Sequence, residues 1–140
     1  MLFAYCDASY VSSTKRAAAT TFICTEDTFI DCFTNVYNDI ESSVQAELLG
    51  VHQTMKYISE NCKGVDKVVL ATDSRTVAVK YISILANWIV PSTHEYYTEY
   101  KDLLSYSKDF NVNVQHVRGH QYTHNPNKIC DVLSKLRSEG

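Results

Sequence analysis

The chain has 140 residues, with 45% hydrophobic and 21% charged side chains and a formal net charge of −3. That length suits one domain, large enough to bury a core without disulfides or a structural metal, and the ordinary composition argues against a disordered chain. The acidic balance argues against a protein that holds nucleic acid by bulk positive charge. It leaves open a local basic patch, or cations held on acidic side chains.

The five cysteines (Cys6, Cys24, Cys32, Cys62 and Cys130) contain no CxxC pair, so a cysteine zinc site is not expected. Cys6, Cys24 and Cys130 sit in apolar contexts, as small core residues do. An odd number of cysteines, in these contexts, suits a reducing, cytoplasmic compartment. The start MLFAYCDASY is too short and too polar for a signal peptide, and no run of 18 apolar residues exists. No membrane association is expected.

In chain order, residues 2–6 (LFAYC) form an apolar run ending at Asp7, which reads as a central strand buried on both faces. Residues 7–13 read as a turn or loop. Residues 16–25 and 28–37, rich in Thr and aromatics and joined through Glu26-Asp27, predict an antiparallel hairpin that continues the first strand as a meander. Ser42 and Gln45 fit a capping box. The helix it opens carries Leu48, Val51, Met55 and Ile58 at amphipathic spacing and ends near Asn61, with Gly64 just beyond.

Residues 67–72 (KVVLAT) predict a buried strand parallel to the first, ended by Asp73. A helix follows over about 74–86, and Pro91 breaks the pattern. Ser92 and Glu95 fit a second capping box for a tyrosine-rich helix reaching Lys108. Its Tyr96, Tyr97, Tyr100 and Tyr106 read as a core-packing stripe rather than a base-stacking platform. A last strand covers 112–117. A polar loop with His120 and His124 then leads to a helix with Asn125 as N-cap and Pro126 in its first turn. The order β-β-β-α-β-α-α-β-α predicts an α/β fold with a mixed five-stranded sheet, a hairpin meander followed by parallel strands, and helices on both faces.

In such sheets, sites gather beyond the C-terminal ends of parallel strands. Asp7 and Asp73 end two strands, Glu47 lies early in the first helix, and Asp131 lies beside the apolar face of the last helix among Ile129, Val132, Leu133 and Leu136. Taken singly, Asp73 could be an N-cap, Glu47 a solvated helix residue, Asp7 a turn former and Asp131 a buried structural acid. Together, four carboxylates meeting at one edge repel one another until protons or divalent cations neutralise them. Oxygen ligands of this kind suit Mg²⁺ or Mn²⁺. Two such ions about 4 Å apart can clamp an in-line phosphoryl displacement.

The stretches YCDAS (5–9), SSVQAELLG (42–50), VVLATDS (68–74) and HVRGHQ…NPNKICDVL (116–133) span nearly the whole chain, and in that order they resemble the type 1 ribonucleases H. The resemblance implies a ribonuclease H-like fold over residues 1–140 and cleavage of the RNA strand of RNA–DNA hybrids, leaving 5′-phosphate and 3′-hydroxyl ends. It implies a metal-binding quartet of Asp7, Glu47, Asp73 and Asp131. Asp7 would touch both Mg²⁺ ions, Asp131 the ion on the water side, and Glu47 and Asp73 the ion on the leaving-group side. His120 would assist proton transfer or product departure, with His124 as a competitor for that role, and Asn127 matches the family's Asn four residues before the last acid.

By the same resemblance, substrate contacts fall to Ala8, Ser9, Ser43 and Arg75. Several departures stand out. Ser43 and Val44 replace an Asn common before the Glu, and Tyr122 replaces a Gly after the loop histidine. Lys15-Arg16-Ala17 stands where many members carry a glycine-rich turn. No lysine-rich protrusion is present, and only six residues precede Asp7, so no N-terminal hybrid-binding domain is expected. The expected protein is a stand-alone monomer with weak, salt-sensitive hybrid binding, helped by Lys15, Arg16, Arg75, Lys80, Arg118 and Lys128. Two other functions fit the same architecture: a DNA nuclease or junction resolvase, and a non-catalytic binding module.

Overall fold

A computed structural model of the chain describes residues 1–117. Among these residues the elements run β1 (Leu2–Val11), β2 (Arg16–Cys24), β3 (Phe29–Tyr37), α1 (Ser43–Asn61), β4 (Lys67–Thr72), α2 (Arg75–Asn87), α3 (Tyr97–Ser107) and β5 (Asn111–His116). The helix expected from Asn125-Pro126 lies outside the described residues, and with it His120, His124, Asn127 and Asp131.

The strands form one sheet in the order β3-β2-β1-β4-β5. β1, β2 and β3 pair antiparallel, whereas β4 pairs parallel with both β1 and β5. This is the mixed five-stranded sheet that the hydrophobic runs predict. Leu2, Ala4 and Cys6 of β1 share a face with Val68 and Leu70 of β4 and Val114 of β5, because the register is Leu2↔Val68 and Ala4↔Leu70↔Val114. That face packs into one core with Leu48, Val51, Met55 and Ile58 of α1, Val77, Tyr81 and Ile84 of α2, and Tyr100 and Leu103 of α3. Each large aliphatic side chain removed from water there contributes roughly 1.5–3 kcal/mol.

All three described helices thus cover the same face. On the opposite face Phe3, Tyr5 and Phe22 remain half-buried. There the Tyr5 and Phe22 rings meet edge-on at 6.4 Å, and Phe22 meets Phe29 at 5.4 Å. β1 is therefore not buried on both faces among the described residues.

Two boundaries differ from the sequence reading by more than a residue. β1 does not stop at Asp7 but runs on to Val11. Its parallel ladder with β4 ends at Cys6↔Thr72, while its antiparallel ladder with β2 continues to Val11↔Arg16. One neighbour is enough to keep the backbone extended, so residues 7–11 are strand rather than loop.

The second boundary is the start of α3, which begins at Tyr97 and not after Ser92. His94 N–H donates to the Pro91 carbonyl at 3.0 Å, and Tyr97 N–H donates to the His94 carbonyl at 3.2 Å, making two successive turns. Tyr96 then adopts a left-handed backbone (φ 62°), which interrupts any helical path out of a box at Ser92 and Glu95. The tyrosines of α3 do pack inward: Tyr100 is buried, and Tyr96, Tyr97 and Tyr106 lie against the core.

Of the other two helices, α1 is capped as its sequence suggests and α2 one residue past Asp73. Ser42 Oγ accepts from Gln45 N–H at 3.1 Å, and Gln45 Oε1 accepts from Glu41 N–H at 2.8 Å, one residue earlier than in the usual reciprocal box. Ser74 Oγ accepts from Val77 N–H at 3.3 Å, so Ser74 and not Asp73 is the N-cap of α2.

Candidate active site

The site follows from where the parallel ladder ends. Cys6↔Thr72 is the last pair of β1 and β4, so the next residues, Asp7 and Asp73, emerge side by side from strands about 4.8 Å apart. The continued pairing of β1 with β2 (Asp7↔Thr20) holds Asp7 in the sheet. Asp73, by contrast, lies between the end of β4 and the cap of α2, free of any capping duty.

Glu47 reaches the same point from α1. Gly50, one turn later, packs against the strands beside it: a Cβ there would make ordinary van der Waals contacts, 3.5 Å from Ala19 Cβ and 3.8 Å from the Asp7 carbonyl oxygen. Carboxylate oxygens of Asp7, Glu47 and Asp73 all lie within 4.8 Å of one another.

Asp7 is 1% exposed. Burial pushes its carboxyl far above the ordinary carboxylate range, the neighbouring Glu47 and then Asp73 push it further, and the Ala8 N–H works against them. That N–H donates to Asp7 Oδ1 at 2.8 Å. A buried acid in this state takes a proton or a cation. The donor set consists of hard carboxylate oxygens, and ligands sharing one small octahedral ion are roughly 3–4 Å apart, so these three side chains fit a divalent cation of the Mg²⁺ type with small adjustments.

The remaining sequence candidates divide as follows. Ala8 and Ser9 continue β1 directly beyond Asp7, Ala8 buried and Ser9 half-buried. Ser43 is the exposed first residue of α1. Arg75 is the exposed first residue of α2, and it opens a surface depression of about 510 Å³ shared with Thr76, Val79, Lys80 and Ser83. Lys15 is engaged with Glu41 at 3.4 Å. His120, His124, Asn127 and Asp131 lie outside the described residues.

One neighbour of the site carried no signal beyond strand alternation. His116, at the end of β5, places Nε2 3.1 Å from the Asp73 carbonyl oxygen. Nothing in the local sequence links residues so far apart; only the pairing Thr72↔His116 brings them together.

Known structures of similar fold come from varied sources. A foamy virus protease–reverse transcriptase solved with double-stranded DNA matches at 18% identity and TM-score 0.74, covering 98% of this chain and 93% of that one. The N-terminal RNase H domain of a Mycobacterium tuberculosis protein, solved as a fusion with maltose-binding protein, matches at 12% identity and TM-score 0.76, covering 99% and 93%. An RNase H1 isolated from compost by metagenomics matches at 10% identity and TM-score 0.77, covering 99% and 95%. At these identities the likeness speaks for the fold. A search of curated proteins finds no match. The RNase H family model matches residues 1–139. With that match over nearly its whole length, the chain belongs to the RNase H family, the divalent-metal-dependent ribonucleases that act on RNA–DNA hybrids.

Proposed function

We propose that this chain cuts the RNA strand of RNA–DNA hybrids with two Mg²⁺ ions held by Asp7, Glu47, Asp73 and Asp131, Mn²⁺ being a working substitute. The observation that carries this reading is the meeting of Asp7, Glu47 and Asp73, from three separate elements, around a carboxyl group too buried to stay charged unaided. Bound ions supply Lewis-acid stabilisation of the charge that develops on the attacking and leaving oxygens. The chain's own part is to hold four acids in a fixed array and to orient the phosphodiester.

Backbone at Ala8 and Ser9, the Ser43 hydroxyl and Asn127 are the proposed contacts to the hybrid, and Arg75, beside Lys80 in the depression on α2, pairs with a backbone phosphate. His120 assists proton transfer or product departure. Replacing His120 with Ala is expected to slow cleavage without stopping it; an unchanged rate would move the role to His124 or to no histidine.

The reading extends to a single catalytic domain over residues 1–140, acting as a monomer in the cytoplasm. The thiols of Cys24, Cys32 and Cys62, which form no disulfide among the described residues, support a reducing compartment. No helix among the described residues is long and apolar enough to cross a membrane.

The test offers labelled RNA–DNA hybrid, duplex DNA, duplex RNA and a four-way junction to the protein with Mg²⁺, Mn²⁺ or EDTA. Hybrid-selective cleavage of RNA, leaving 5′-phosphate and 3′-hydroxyl ends and abolished by EDTA, is the expected result. Junction cutting would favour a resolvase, and no cutting with either metal would favour a binding module; either outcome overturns the proposal.

A further inference from the structure

Asp73 has left the sheet, and three hydrogen bonds tie down the backbone around it. Val117 N–H donates to the Thr72 carbonyl at 2.9 Å, and Ser74 N–H donates to Thr72 Oγ1 at 3.2 Å. His116 Nε2 lies 3.1 Å from the carbonyl of Asp73 itself. A carbonyl oxygen can only accept, so the imidazole carries its hydrogen on Nε2 and donates. The first bond fixes residue 72, and the second holds the Asp73–Ser74 peptide from its N–H side; of the three, His116 alone binds that peptide at the Asp73 carbonyl.

We propose that His116 is a positioning residue for the Asp73 carboxylate, holding the Asp73 peptide in the orientation that faces its side chain toward Asp7 and Glu47. The inference rests on the proposed role of Asp73 as a metal ligand. An exposed hydrogen bond, in competition with water, adds little to the stability of a fold. Here the same bond removes freedom from a ligand before the ion arrives, and preorganisation of that kind appears as metal affinity. His116 is exposed and closes an edge strand among the described residues, so its loss leaves the core untouched.

The experiment measures Mn²⁺ binding by calorimetry and electron paramagnetic resonance without substrate, alongside urea unfolding in EDTA. It compares the wild type with Asp73→Asn, His116→Leu and His116→Gln. His116→Leu is expected to weaken Mn²⁺ binding about tenfold with the metal-free unfolding midpoint unchanged. His116→Gln, which places an amide N–H at similar reach, is expected to restore most of the affinity. Unchanged binding in His116→Leu, or equal weakening by Leu and Gln, overturns the proposal. Should His116→Leu fail to fold, His116→Met against His116→Gln makes the same comparison of a side chain without a donor and one with it. Equal Mn²⁺ binding by wild type and Asp73→Asn would instead sink the metal reading of the site. Weakening at Asp73→Asn alone sinks only the part given to His116.

Discussion

Asp7→Asn is expected to abolish cleavage, by on the order of a thousandfold, and at the same time to stabilise the metal-free protein. The two effects have one cause. Asp7 is buried beside Glu47 and Asp73, and in the absence of a cation its folded-state pKa lies far above its unfolded value of about 3.9. A carboxyl raised in this way contributes its stability in full below the unfolded pKa. As the pH rises past that value, the unfolded chain ionises freely while the folded chain must keep the proton, and the contribution is lost. Asparagine cannot ionise, and its Oδ1 can still accept the Ala8 N–H that Asp7 accepts at 2.8 Å. In EDTA at pH 7 the variant is expected to be more stable by about 1–3 kcal/mol, with a gap that widens toward pH 8.5 and closes toward pH 4. Thermal melts in EDTA at several pH values, with initial rates on hybrid in Mg²⁺, check both halves. A variant less stable than wild type at pH 8 in EDTA would show that Asp7 supports the fold in its charged form.

The largest loss of stability without loss of chemistry is expected at Gln53. This buried side chain on α1 makes four hydrogen bonds: Nε2 donates to the Ala19 carbonyl at 3.0 Å and to Thr21 Oγ1 at 2.9 Å, and Oε1 accepts from Asn35 Nδ2 at 3.2 Å and Tyr37 OH at 2.7 Å. It thereby ties α1 to both β2 and β3. A leucine of similar size would leave polar groups at all four ends without this partner, and an unsatisfied buried group costs about 1–3 kcal/mol. Gln53→Leu is expected to cost about 3 kcal/mol, seen as a lower urea midpoint with an unchanged slope. Cleavage per folded molecule should survive, because Gln53 lies outside the carboxylate cluster. A loss below about 1 kcal/mol would mean that β3 is held by its ladder with β2 alone.

The contrast between these residues shows how far the chain can be read without coordinates. Asp7 and Asp73 were legible because both end apolar runs, LFAYC and KVVLAT, and a parallel strand presents the residue just beyond its C-terminal end. Ser42 announced its helix because N-caps act within three residues, whereas the cap of α2 falls on Ser74, one residue past the Asp73 that its sequence also offers. The extent of β1 was hidden, since residues 7–11 are held extended by β2 and carry no strand pattern of their own. The start of α3 departs from its capping pair because such a pair states a local preference, and a left-handed Tyr96 overrides it. The bonds of Gln53 and His116 were beyond reach for the same reason: their partners lie on other elements, and which elements meet is a property of the sheet order. His120, Asn127 and Asp131 remain carried by the resemblance of their motif.

The parallel ladder that stops at Cys6↔Thr72 also bears on how the protein comes together. The meander of β1, β2 and β3 joins segments close in the chain, whereas β1 and β4 close a loop of more than sixty residues. Asp7 and Asp73 have no reason to meet until that loop is closed, and the entropy of closing it must be met before the contacts it brings can form. Among the described strand pairings, the carboxylate cluster therefore sits at the least local one, between β1 and β4. Any ion that binds the closed cluster and not the open chain adds its free energy to that step. A divalent cation bound there would then help hold the two halves of the sheet together, and its uptake during refolding would report when β4 has docked.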